Sequence, residues 1–112
     1  MPKMTYSAAK GLVQAAGSGF NLNSITSVSG TESLDSGTVV TIATAASTLT
    51  LPASADSGAF KIILVDQGAG TDNVVIKATN ASLGSDATLN ATGEFAICVF
   101  NGTEWIVGVS TS

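Results

Sequence analysis

The residues able to do chemistry in this 112-residue chain are few: one cysteine, eight carboxylates, four lysines and no histidine. Without imidazole the commonest general base, the commonest metal ligand and the usual partner of a Ser or Cys nucleophile are missing. Cys98 stands among Ala96, Ile97, Val99 and Phe100, with no cation near it in sequence to favour a thiolate. That setting predicts a buried, inert thiol. The close acidic pairs are Glu32/Asp35 and Asp66/Asp72, with Asp56 in a turn of its own. None has the alternating acidic pattern and distal Glu of a calcium loop. Asp66 and Asp72 flank "QGAG", where a weak cation held across a hairpin competes with plain turn capping, and the spacing favours capping. "GAGT" at residues 68–71 lacks the G-K-[ST] ending of a phosphate loop and any helix to follow, so it reads as a β-turn. N-x-[ST] triplets begin at Asn80, Asn90 and Asn101, as chance supplies in a chain so rich in Asn, Ser and Thr. The expectation is a protein without catalytic residues, cofactor or metal.

Composition narrows the partners as well. Hydrophobic residues make up 45% of the chain and charged ones 11%, against about 25% charged in an ordinary globular protein. This excludes charge-driven disorder and describes one folded domain with an under-charged surface. The net charge is −4, and the lysines Lys3, Lys10, Lys61 and Lys77 are scattered, with no arginine. Neither counterion release by a basic stripe nor bidentate base contacts are available, so no nucleic acid is expected as a partner. No membrane is expected either: polybasic attraction to lipid is absent, and no apolar run approaches the ~20 residues of a span. A single cysteine forms no internal disulfide, and "MPK" followed by an interrupted N-terminal stretch reads as a start without a signal peptide, so synthesis in the cytoplasm is expected.

Two regions must position whatever site exists. Residues 1–30 read as an N-terminal arm, extended or with a short helix over "AAKGLVQAAG" that Ser7 would cap and Gly17 and Gly19 would end. Such a helix is marginal alone, so the arm is either frayed or ordered on a neighbouring subunit. "FNLNSITSVSG" follows as a linker or short strand. Residues 31–112 read as a β-domain. Alternation and β-branched content predict strands in "TVVTIA" (38–43), "TLTLP" (48–52), "AFKIILVD" (59–66, a central strand), "NVVIKA" (73–78), "ATLN" (87–90), "EFAICVF" (94–100) and "EWIVGV" (104–109). "ADSG", "QGAGTDN", "LGSD" and "NATG" separate them as turns. Short strands at this spacing predict an all-β fold, an antiparallel, jelly-roll-like sandwich or barrel. Its core, or the core of an oligomer, is expected to hold Leu51, Ile63, Val65, Ile76, Phe95, Ile97, Phe100, Trp105 and Val107.

Asn101-Gly102 between alternating stretches predicts a two-residue hairpin turn, with Phe100 facing Thr103 and Trp105 facing Cys98. Trp105 then shares a face with Val107 and Val109, while Ile97 and Val99 lie on the other with Ile106. Apolar residues on both faces imply cover on both sides, in a sandwich or against another subunit. Trp105, the only tryptophan, has three readings: a core plug with its indole N–H on a backbone carbonyl, an anchor across an oligomer seam, or a sugar-stacking platform that would lack a second aromatic.

"TLTLPASADSGAFKIILVDQGAGTDNVVIKA" followed by "GEFAICVFNGTEWIVG" resembles a β-module of virion surface proteins in tailed bacteriophages. The resemblance spans residues 37–109 and is clearest at Leu51-Pro52, Gly58, Asp66, Gly68, Asn73, Ile76, Asn101-Gly102-Thr103 and Trp105. It implies a structural protein, most like a capsid decoration (cement) protein on the outer surface of the phage head. Such a protein would bind the major capsid protein, self-associate as a homotrimer and stabilise contacts between capsid subunits. In that setting Tyr6, Leu12, Val13, Phe20 and Leu22 would form a capsid-contact arm. A head- or tail-fibre receptor-binding module is the alternative in the same setting, though the chain shows neither repeats nor a coiled-coil shaft. A carbohydrate-binding β-module is the alternative from another class.

Overall fold

In the computed structural model the described residues are 4–7, 11–14, 25–35, 38–53 and 55–110, the first two stretches as backbone. They form nine strands and one short 3-10 turn, so the all-β expectation holds. β1 (Met4–Ser7) and β2 (Gly11–Gln14) pair antiparallel, with Tyr6 opposite Leu12 and Thr5 opposite Val13. The helix expected from Ser7 onward is thereby overturned at residues 11–14. Gly11 and the β-branched Val13 weaken a helix that had only a thin apolar stripe, whereas Thr5, Tyr6 and Val13 are good strand formers. Phe20 and Leu22 of the expected arm lie outside the described residues.

The remaining strands are β3 (Ile25–Ser33), β4 (Val40–Thr50), β5 (Phe60–Val65), β6 (Val74–Ile76), β7 (Ala87–Leu89), β8 (Phe95–Phe100) and β9 (Trp105–Val109). They make one seven-stranded sheet in the order β7-β6-β4-β5-β8-β9, with β3 on the other edge of β4. β3 starts at Ile25 and passes through the boundary expected at residue 30, so the sheet begins earlier than the patterning suggests.

β4 organises this sheet. Two strands were expected here, but "ATAAS" contains no Gly, Pro, Asn or Asp and the chain runs through as one strand of eleven residues. Its first half, Val40 to Ala43, pairs with β5, and its second half, Ser47 to Leu49, pairs with β6. Between them the strand bulges: β3 advances from Val28 to Gly30 while β4 advances from Ala43 to Ser47. Ser47 Oγ donates to the Ala45 carbonyl at 2.9 Å inside the bulge, and Gly30 opposite it takes φ 95°, which a side chain would resist. One strand thus serves two half-sheets, the usual way a sheet turns a corner. Beyond the 3-10 turn (Ala78–Asn80), the Ser82 amide donates to the Trp105 carbonyl at 2.7 Å, and Ala81 bridges Trp105 in parallel. That contact brings the β6–β7 connection against β9 and closes the sheet nearly into a barrel.

The sheet is mixed, not antiparallel throughout: β4 is parallel to β3, to β5 and to β6. A parallel neighbour requires the chain to travel back to its starting end. The chain makes that return between Ser33 and Val40 after β3, and between Thr50 and Phe60 after β4. Each is short and carries turn residues, so in sequence it resembles the loop of a hairpin. Inside the closure sits one core that includes Leu49, Leu51, Ile63, Val65, Val74, Ile76, Leu89, Cys98, Phe100 and Trp105. No helix among the described residues is long and apolar enough to cross a membrane.

Candidate functional site

Two buried polar devices and one apolar face stand out. The first device surrounds Trp105. Its loop contains four residues, because Phe100, not Cys98, pairs with Trp105, and Cys98 faces Val107. Asn101 drives the longer loop: its Oδ1 accepts from the amides of Thr103 and Glu104, both at 2.9 Å, and its own amide donates to the Glu104 carbonyl at 3.1 Å. Gly102 supplies φ 99°. The register moves by an even number of residues, so the faces stay as expected. Trp105 is 0% exposed, meets Phe100 edge-on at 5.4 Å, and donates from Nε1 to the Pro52 carbonyl at 2.9 Å. It is a core plug, with no ring face left for a sugar. Asn80 Nδ2 donates to the same Pro52 carbonyl at 3.0 Å and also to the Leu51 carbonyl. Two side chains from separate elements therefore hold Leu51-Pro52 in place.

The second device went unseen in the sequence. Lys61 points inward from β5 and is 1% exposed. Its ammonium donates to the carbonyls of Asp35 and Thr38 on the return segment 34–39. Those carbonyls lie outside any strand; the Asp35 oxygen also accepts from the Thr38 amide at 3.3 Å, so Lys61 adds a second donor there and ties both oxygens to the sheet. Burial pushes the Lys61 pKa below its ordinary value, against the opposing pull of the Asp35 carboxylate and the Cys98 thiol. Cys98 lies directly opposite Lys61 across β5 and β8, so it does have a cation beside it. Burial nonetheless prevails and pushes the thiol up to about 11, so it stays protonated and inert, as expected. Glu94 is also buried, with Oε1 accepting from the Asn90 and Ala91 amides at 2.6 and 3.0 Å to close the turn before β8.

Of the other carboxylates, Asp86 accepts from Lys77 Nζ at 2.8 Å and from the Ala78 amide at 2.9 Å. Asp66 and Asp72 are exposed, and Gln67 and Thr92 organise their loop: the Gln67 amide donates to Thr92 Oγ1 at 2.8 Å and its side chain to the Asp72 carbonyl at 2.6 Å. Among the described residues, no three acidic or thiol groups gather where a metal could be held. A cleft of about 270 Å³ opens between β3, β4 and the return segment. Thr26, Glu32, Asp35 and Thr38 line it, together with Thr41, whose buried hydroxyl has no partner.

Of the expected core residues, Leu51, Ile63, Val65, Ile76, Phe100 and Trp105 are buried, and Val107 packs half-buried against them. Phe95 and Ile97 are not: they point outward, 39% and 42% exposed, while the smaller Ala96 and Cys98 are fully buried. With Trp105 inside and paired to Phe100, strict alternation leaves the odd positions of β8 no place in the core. Those outward residues belong to a continuous surface. Across the strands, Phe60, Val99 and Ile106 form one row. Ile25, Val40, Ile62, Ile97 and Gly108 form the next, in which Val40 is buried. Ser27, Ile42, Leu64 and Phe95 form the third. Within these rows Ile25, Phe60, Leu64, Phe95, Ile97, Val99 and Ile106 are large apolar side chains between 37% and 56% exposed. No charged residue stands in any row. Such a surface can bind by burial.

No family model matches this chain, and no curated protein does either.

Proposed function

We propose that this chain is a structural virion protein, a capsid decoration protein that covers the outer surface of a tailed-phage head and stabilises contacts between major capsid subunits. The observation that carries the reading is the uncharged apolar face of β3, β4, β5, β8 and β9, on a chain whose buried Lys61 and Trp105 donate to backbone carbonyls that hold the fold. A protein of this kind acts by removing surface from water at many equivalent places, so weak contacts sum over the shell. The residues of the resemblance support it because they are the posts of this architecture: the Pro52 carbonyl, the positive φ of Gly58, Gly68 and Gly102, Ile76 in the core, the Asn101 cap and Trp105. The β1–β2 pair, which carries Tyr6, Leu12 and Val13, precedes the sheet in the chain and in this reading is the arm that would reach a neighbouring subunit.

The test is the copy number of this chain relative to the major capsid protein in purified virions, by quantitative mass spectrometry. Hundreds of copies per particle support decoration. A handful points instead to a fibre or receptor-binding tip, and none rejects a virion role.

A further inference from the structure

We propose that the cleft between β3, β4 and the segment joining them binds a primary alkylammonium group, the head and stem of a lysine side chain or of a small free amine. The cleft holds about 270 Å³ and lies on the opposite side of β3 from the apolar rows. The register shows why. Thr26, Val28 and Glu32 stand opposite Thr41, Ala43 and Leu49, which are buried, so all three face inward, whereas Ile25 and Ser27 face out. Among the described strands β3 pairs only with β4, so this inward side is open along its free edge. An inward charge on an edge strand can serve to guard that edge against pairing, and Glu32 alone would need no other role. Thr41 is what the guard does not explain. It lines the cleft, is 1% exposed, and its hydroxyl has no partner, where a valine of the same shape would leave no polar atom bare.

The lining selects the ligand. Glu32 and Asp35 bring two carboxylates, and Thr26, Thr38 and Thr41 bring hydroxyls that can accept a hydrogen bond. Lys61, which is not part of the lining, ties the Asp35 and Thr38 carbonyls to β5 and offsets one of the two negative charges. The charge that remains favours a cation. Val28 and Leu34, both buried, add an apolar stretch of wall that a bare ion does not use and an aliphatic stem does. Among the described residues no third carboxylate or thiol joins the pair, so a divalent metal would find few charged ligands. No aromatic ring lines the cleft for a sugar to stack on. A planar guanidinium is best met by a bidentate carboxylate, whereas a lone buried hydroxyl suits one N–H of a compact ammonium on a flexible stem. The cleft is separate from the face assigned to capsid subunits, so this site stands or falls independently of the virion reading.

The experiment is a titration of the isotope-labelled full-length chain with n-butylammonium chloride at low salt, followed by proton–nitrogen correlation spectra. The amides of Thr26, Leu34 and Thr41 report the cleft, and those of Phe60, Ile97 and Val99 report the outer face. n-Butanol, sodium chloride and calcium chloride are the controls, and Nα-acetyl-lysine N-methylamide presents the same group on a backbone. The expected result is saturable shifts confined to the cleft, with a dissociation constant of millimolar order. Glu32→Gln should weaken binding roughly 5-fold and Thr41→Val about 3-fold or more, while the urea midpoint of Thr41→Val does not fall, because only a bare hydroxyl has been removed. Tighter binding of the lysine derivative than of butylammonium supports a protein lysine as the source, and the reverse order supports a free amine. Shifts that fail to saturate, that butanol or sodium chloride reproduces, or that persist undiminished in both variants overturn the proposal. So does saturation by calcium with none by butylammonium.

Discussion

The Pro52 carbonyl receives two side-chain donors, Trp105 Nε1 at 2.9 Å and Asn80 Nδ2 at 3.0 Å, and that redundancy is measurable. Trp105→Phe keeps an aromatic ring against Phe100 but removes the indole N–H and part of the ring volume. The lost volume, about 40 Å³ at about 24 cal/mol per Å³, costs roughly 1 kcal/mol in a site with no exposed surface. The lost hydrogen bond adds about 0.5–1 kcal/mol, softened because Asn80 still donates to the same oxygen. Asn80→Ala alone should cost about 1–2 kcal/mol, since the Leu51 carbonyl also loses its donor. In the double variant the Pro52 carbonyl has neither donor. The combined loss should then exceed the sum of the single losses by about 1 kcal/mol, the penalty of a partly buried acceptor left bare. The assay is urea denaturation followed by far-UV circular dichroism, which does not depend on the substituted tryptophan, with the slope checked for constancy across all four proteins. Strict additivity within about 0.3 kcal/mol would refute the shared-acceptor argument. A Trp105→Phe loss near zero would refute the plug itself.

Three further outcomes follow from the same geometry. Lys61, with its pKa lowered in the fold, binds fewer protons folded than unfolded, so its contribution to stability rises with pH up to its unfolded value of 10.5. Cys98, raised to about 11 from 9.0, contributes stability that is full below pH 9 and is lost as pH climbs through its folded value. The two oppose each other in wild type. In Lys61→Met, urea titrations from pH 8 upward should therefore show stability falling more steeply between pH 9 and 11 than in the parent. Gly102→Ala, at φ 99°, should lose about 1 kcal/mol or more by the same denaturation measurement, whereas Gly84→Ala, which has open space for a Cβ, should lose less. Deleting residues 1–20 should leave the β-domain circular dichroism intact and reduce co-sedimentation with capsids that lack this protein, and undiminished binding would remove the arm from the proposed function.

How much of this was legible depends on which physical signal each residue carries. Strands from β5 onward follow from alternation and turn chemistry, and they appear within a residue or two of their expected bounds. The faces were legible too, had alternation been applied without regard to side-chain size. Placing Trp105 inside puts Phe100, Cys98 and Ala96 inside with it and sends Phe95 and Ile97 out, yet bulk favours the outward pair because both parities of β8 are apolar. The same rule places Lys61 in the core, since it shares a parity with Ile63 and Val65, which are apolar and expected to be buried. The instinct to move a charge outward hides it. The parallel order could not be read in this way, because a return segment has no period: residues 34–39 resemble a hairpin loop, and their partners are set by where β3 ends in space. What the chain does leave behind is the group that such a crossing requires. The Asp35 and Thr38 carbonyls of that return have no strand partner, and a lysine on the apolar parity of the central strand donates to both from below. Lys61 is thus a sequence-level sign of the mixed topology, and its alternation with Ile63 and Val65 is the pattern that would have revealed the crossing.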